Sequence, residues 1–171
     1  MKSEGVCRLC NRKLSGRGMT KHLQSCMSEN LQPEQGDSSI FLIKASAGPF
    51  WVYFEVNTSS TLGRIDSFLR DLWLECCGHL SASTIDSVRY YSHAEFLESG
   101  EKGMDVFLKQ VISPGAKFRH EYDFGTTTEL ELQCISDRKG KARSKIEVIA
   151  RNDMPEILCD ECGKPAKEIC T

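Results

Sequence analysis

The sequence predicts an α+β protein in which helices pack on a sheet in the order ββαβαβββ, with small zinc-type modules at both ends. Three observations lead there. The middle of the chain alternates between short runs rich in aromatic and β-branched residues and one longer run with helical periodicity. That middle part closes on a β-meander. Six of the nine cysteines lie outside it, at residues 7–26 and 159–170.

Taken in order, residues 1–27 form a Cys/His-rich basic module, and "SENLQPEQGD" (28–37) is a polar linker carrying Pro33 and Gly36. The main domain spans 38–151. Its first elements, "IFLIKAS" and "FWVYFEVN", read as two strands joined across Ala-Gly-Pro. "TSSTLGRIDSFLRDLWLECCG" is a helix with a Ser/Thr cluster as N-cap and Gly78 as its stop. Leu62, Ile65, Leu69, Leu72, Trp73 and Cys76 share one face at steps of three and four.

"STIDSVRYYS" reads as a weaker strand, and "MDVFLKQVI" as a short helix ended by Ser-Pro-Gly. In "KFRHEYDF", Phe118, His120, Tyr122 and Phe124 take one face, with Arg119, Glu121 and Asp123 on the other. "TELELQC" alternates Leu130, Leu132 and Cys134 against Glu129, Glu131 and Gln133, and "KIEVIAR" completes the meander. A second cysteine cluster, in 152–171, ends the chain.

Asp123-Phe124-Gly125 is the tripeptide that holds magnesium in protein kinases. There it works beside a Gly-rich loop, a strand lysine and a His-Arg-Asp loop. None of these is in the 171 residues, so Asp123 and Gly125 are expected to shape a turn, with Tyr122 and Phe124 packing.

"KFRHEYDFGTTTELEL", preceded by a short helix ending in Pro-Gly, resembles the signature of the plasmid pRi open-reading-frame-three-like family. The upstream helix with Leu62, Leu69 and Trp73, followed by "GHLSASTI", is similar to the rest of that domain. The family is common on plasmids, mobile elements and microbial chromosomes. The resemblance covers about residues 38–151 and implies a ubiquitin-like, β-grasp-like ββαβ opening. The commoner family pattern has Asp-x-Trp-x-His after the Asp-Phe-Gly, where this chain has Thr126, Thr127, Thr128 and Glu129. No agreed catalytic residues come with the family.

The strongest chemical signal is "CRLCNRKLSGRGMTKHLQSC". Cys7 and Cys10 form a knuckle that aims both sulfurs at one ion. After eleven intervening residues come His22 and then Cys26, at i and i+4 on one helix face. Leu14 and Met19 fall where a ββα zinc finger keeps its packing residues, with Leu23 a turn later. The pattern looks like a CCHC variant of that finger, one residue short in its central spacing. The second cluster, Cys159, Cys162 and Cys170, resembles the first three ligands of a MYND-like or zinc-ribbon module. A fourth ligand at that spacing falls beyond Thr171. The site therefore needs a longer chain or a ligand from elsewhere, or it is not a metal site. The expected cofactor is Zn2+.

The net charge of −2 hides two basic stretches. Residues 5–28 carry Arg8, Arg12, Lys13, Arg17 and Lys21 with no acid. Residues 138–145 carry Arg138, Lys139, Lys141, Arg143 and Lys145. A folded finger concentrates the first set on a small surface, which suits nucleic-acid phosphates. Base reading is disfavoured, because the reading positions of a docked ββα finger would be Ser15, Gly18 and Lys21, and Gly16 further weakens the helix start. The competing expectation is a protein-interaction adaptor whose metal modules are staples or peptide docks; the acidic balance of the main domain leans that way.

An enzyme is not expected. His120 is read as a core histidine facing away from Glu121 and Asp123. Cys76, Cys77 and Cys134 look structural, a Cys76 or Cys77 nucleophile paired with His79 lacks an orienting group, and His93 sits in a loop. With no apolar run to span a membrane and no signal peptide, the expected compartment is the cytoplasm, where the cysteines are thiols or metal ligands.

Overall fold

The computed structural model describes residues 3–31, 38–74, 78–93, 97, 99–140, 142, 144–154 and 164. Ten strands form one sheet: β1 (Glu4–Cys7), β2 (Lys13–Ser15), β3 (Ser39–Ala47), β4 (Phe50–Asn57), β5 (Ser81–Ile85), β6 (Val88–Tyr91), β7 (Lys102–Gly103), β8 (Lys117–Tyr122), β9 (Thr128–Lys139) and β10 (Ile146–Asn152). Among the described residues three helices accompany it: α1 (Gly16–Asn30), α2 (Leu62–Trp73) and the single turn α3 (Leu108–Val111). The strand order is β2-β1-β10-β4-β3-β9-β8-β5-β6-β7. Every pairing is antiparallel except β6 with β7. The fold is thus α+β, with a large, mostly antiparallel sheet and few helices. It is similar in class to the expectation but wider.

The two long helices lie on opposite faces of this sheet. On β4, Val52, Phe54 and Val56 join the cluster that buries Leu62, Ile65 and Leu69 of α2. The alternate residues Trp51 and Tyr53 join the cluster that buries Met19 and Leu23 of α1. Period-two alternation makes these two faces of one strand. It explains why β3 and β4 read as unbroken apolar runs: both of their faces are covered.

Several expectations are corrected here. "STIDSVRYYS" is a hairpin, not one strand. Asp86 and Ser87 both have positive φ (46° and 66°), the mark of a type I′ turn, and without glycine its sequence signal is weak. The finger is not an appended module, because β1 pairs with β10 from Gly5↔Asn152 to Cys7↔Ala150. The ubiquitin-like opening is not shown either; the strand after α2 pairs with β6 and β8.

The start of α2 is not capped by its Ser/Thr cluster; Thr61 makes no side-chain cap. Its first amides instead donate to main-chain oxygens, Leu62 to Val106 at 3.0 Å and Gly63 to Met104 at 2.8 Å, which satisfies the orphan groups of the helix start.

Asp123-Phe124-Gly125 is a turn, as expected. Asp123 has φ of 57°, and its Oδ1 accepts from the Gly125 amide at 3.0 Å. Phe124, however, is 42% exposed and stands under the Arg89 guanidinium, 4.9 Å away, instead of packing inward. Among the described residues no helix is long and apolar enough to cross a membrane.

Candidate metal centre

Cys7 ends β1, where pairing to β10 fixes its backbone. The chain then turns tightly. Asn11 takes a left-handed conformation with φ of 60°, its amide donates to the Cys7 carbonyl at 2.8 Å, and the Cys7 amide donates to the Arg12 carbonyl at 3.0 Å. Asn tolerates that conformation better than most residues. The turn swings Cys10 back over Cys7. Ser15 then caps α1 by accepting from the Gly18 amide at 3.3 Å, and the helix presents His22 and Cys26 one turn apart.

The four ligand atoms lie within 4.8 Å of one another. Cys7 and Cys26 sulfurs are 3.9 Å apart, and Cys10 Sγ is 3.2 Å from His22 Nε2. Tetrahedral zinc with ordinary bond lengths needs about 3.8 Å between two sulfurs and about 3.5 Å between sulfur and nitrogen. The group can therefore hold a metal ion without rearrangement of the backbone. Four protein ligands leave no open position, which is the arrangement of a structural rather than a hydrolytic metal site.

The site is half inside and half outside. Cys7 and Cys26 are buried, while Cys10 is exposed. Burial pushes the Cys26 thiol up to about 12, with its hydrogen bonds to Cys10 and Cys7 adding to the effect. Cys10 is held below its ordinary value, chiefly by the backbone amide of Arg12. The Asn30 amide donates to the Cys26 carbonyl at 2.9 Å and lies 3.4 Å from its sulfur, an outer contact of the sort that orients metal ligands. Sequence spacing did not single out Asn30, although i+4 from Cys26 is within helical reach.

Behind the ligands, α1 is seated on the sheet. Met19 and Leu23 are fully buried with Leu42, Trp51, Tyr53 and Ile149. The Tyr53 hydroxyl donates to the Gly16 carbonyl at 2.8 Å and also meets the Thr20 hydroxyl. Gly16, read from sequence as a weak helix start, has another role: a Cβ there would come within 2.9 Å of the Trp51 indole. Gly5 is equally constrained, since its Cβ would meet the Arg151 carbonyl oxygen at 2.1 Å.

Arg8, Arg12, Arg17 and Lys21 are exposed, and Arg12, Arg17 and Lys21 line an open groove of about 790 Å³ beside His22. Lys13 is also exposed but pairs with Asp153 at 2.7 Å. Arg138 stands apart from these, because its guanidinium grips buried Glu55 through two bonds of 2.6 and 2.7 Å. It is a core-edge ion pair more than a hairpin-tip cation. Lys139 ends β9 opposite Ser39. Lys141, Arg143, Cys76, Cys77, Cys159, Cys162 and Cys170 lie outside the described residues.

The three histidines outside the finger each lie against a polar side chain. His120 is buried; its Nδ1 is 2.9 Å from the Ser83 hydroxyl, and its Nε2 is 3.3 Å from Asp66 Oδ1, near but not aligned as a hydrogen bond. Burial works to raise Asp66, but the His120 ring, Ser81 and Arg70 outweigh it and hold the carboxyl below its ordinary value. Ser83, His120 and Asp66 resemble a hydrolase triad by composition. Ser83 and His120 are only 2% and 1% exposed, however, and with Asp66 they link α2 to β5 and β8. Asp66 came from a helix face that periodicity alone assigns to packing. His79 is 3.6 Å from Asp123, Glu121 pairs with Arg89 at 2.9 Å, and His93 bonds Ser92 at 2.9 Å. Cys134 is fully buried, with burial pushing its thiol up to about 12.

No family model matches the chain, and no curated protein does. Among solved structures it is similar to a protein of unknown function, MM3350, from Methanosarcina mazei Go1. The TM-score is 0.55 at 13% identity, over 68% of this chain and 70% of the other. At that identity the likeness speaks for the fold alone.

Proposed function

We propose that this is a non-enzymatic zinc protein that binds nucleic acid, mainly through backbone phosphates, on the exposed face of its CCHC finger. Three thiolates and an imidazole at these separations suit Zn2+ better than the hard cations. The observation that carries the reading is the groove at the start of α1. Arg12, Arg17 and Lys21 line it, while the opposite face of the same helix is buried against the sheet. The metal holds the helix, and the helix holds Arg17 and Lys21. The Ser15 hydroxyl is engaged in the cap and Gly18 has no side chain, so recognition rests on charge and little on base edges.

A protein-docking adaptor is the second reading. It is favoured by the burial of Cys7 and Cys26 within the finger's core, which fits a metal serving only as a staple. The likeness to the plasmid pRi open-reading-frame-three-like family belongs to this proposal as a statement of lineage; it supplies no chemistry. A cytoplasmic location goes with either reading.

Fluorescence anisotropy against duplex DNA, single-stranded DNA and RNA across a salt series is the test. Three phosphate contacts give a log-affinity slope of about −2.7 on duplex, at about −0.9 per contact. Arg17→Glu with Lys21→Glu should abolish binding while metal content stays unchanged. Absence of binding at low salt, with the metal confirmed in place, rejects the nucleic-acid reading in favour of a protein partner.

A further inference from the structure

The sheet face that α1 covers continues beyond the helix as a polar surface on β3, β9, β8 and β5 that no described element covers. A cleft of about 610 Å³ lies there, distant in the strand order from the finger hairpin. The register places its side chains in rows. Lys44, Gln133 and Lys117 stand directly across three neighbouring strands. Two residues along, Ser46, Glu131, Arg119 and Thr84 form the next row. Strand spacing puts the Lys44 and Lys117 backbones about 10 Å apart with Gln133 between them. Both side chains are long enough to converge above it.

The charges in this cleft are unevenly compensated. Glu121 is matched by Arg89. Among the described residues Lys44, Lys117 and Arg119 make no ion pair within 4 Å, against the two acids Glu131 and Asp86 in the cleft. Lys44 is half-buried, its ammonium 5.9 Å from the centre of the Tyr53 ring. Burial holds it below the ordinary lysine value, with the charge of Glu131 countering only part of that. A desolvated cation facing a cavity is stabilised by an anion seated there.

We propose that the cleft binds a small ligand through its phosphate group, with Lys44, Lys117 and Arg119 as charge partners and the Gln133 amide beneath. A phosphate has three strong acceptor oxygens for three cations. Glu131, cross-strand from Arg119, occupies the position of an internal competitor, so its neutralisation strengthens binding.

The test is a backbone-amide NMR titration of the metal-loaded full chain with inorganic phosphate, with succinate as a carboxylate arm and chloride at matched ionic strength. Phosphate should give saturable shifts centred on Lys44, Gln133, Lys117 and Arg119. Lys44→Met, which keeps the apolar stem, should weaken binding about tenfold, and Glu131→Gln should tighten it. Arg17→Glu, in the finger, should leave it unchanged. Shifts absent, unmoved by Lys44→Met and Glu131→Gln, or centred on Arg17 and Lys21 overturn the site. Equal shifts with succinate overturn the preference for phosphate.

Discussion

The two faces of the central strands are stabilised by different means. On the α2 face, a broad apolar cluster runs from β4 through β9 and β8 to β5 and β6, and it contains none of the four metal-ligand residues. On the α1 face, nine buried residues form the cluster among those described, and two of them, Cys7 and Cys26, are themselves candidate metal ligands. Strands β1 and β2 contribute only four and three residues. One side of the sheet is held by a broad apolar area, and the other by a smaller apolar patch beside four residues that could hold a metal ion. Of the strands, β3 and β4 put buried residues into both clusters.

Metal removal is the strongest way to break this contrast. Structural zinc contributes roughly 10–16 kcal/mol to small finger peptides. Chelation, or Cys26→Ser, should therefore release α1, with fast amide exchange across Met19–Asn30 and a change in Trp51 fluorescence. The amides of β3, β8 and β9 should stay protected. If they open together with α1, the two faces are one cooperative unit and the contrast fails. The same site predicts a pH dependence. Bound thiolates must lose their protons, and the Cys26 thiol sits near 12 without metal. Metal affinity should therefore fall as pH falls, as competition with a chromophoric chelator between neutral and mildly acidic pH can measure.

A smaller effect sharpens the boundary between the faces. Glu55 is buried on the α1 side of β4, and among the described residues Arg138 neutralises it. Arg138→Ala should destabilise by about 3–5 kcal/mol by urea denaturation, whereas the double change Glu55→Gln with Arg138→Met should be far milder. Gly16→Ala comes next. It forces the Trp51 ring aside and should lower stability by about 1–3 kcal/mol, with α1 exchanging faster and α2 unchanged. Smallest of all, Lys13→Ala removes an exposed pair with Asp153 and should leave the unfolding midpoint where it was.

Much of this was legible in the sequence. The Cys7, Cys10, His22, Cys26 spacing anticipated the ligand cluster, and Met19 and Leu23 anticipated the buried side of α1. The alternation in "KFRHEY" placed His120 on the core side. Other features left little trace. Asp86 and Ser87 make a tight hairpin without the glycine that usually marks one. The α2 start takes its partners from Met104 and Val106, some forty residues later. The pairing of Arg138 with Glu55 turns a cation assigned to a basic tip into a structural one. The unbroken apolar runs of β3 and β4 did hold a clue: such strands are covered on both faces, so the domain needed a second layer that the finger supplies.

What the sequence alone determined is local. Ligand geometry depends on a knuckle of four residues and a single helical turn, and side-chain faces depend on a period of two or 3.6, all within reach of a short stretch of chain. What only the tertiary structure decided is which edge meets which. The pairing of Gly5 with Asn152 joins the two ends of the domain, and no period encodes a strand's partner. That pairing follows from shape: Gly5 and Gly16 let backbone and indole come close, and α1 has one apolar stripe to bury. The step turned a finger that reads as an appendage into one edge of the main sheet.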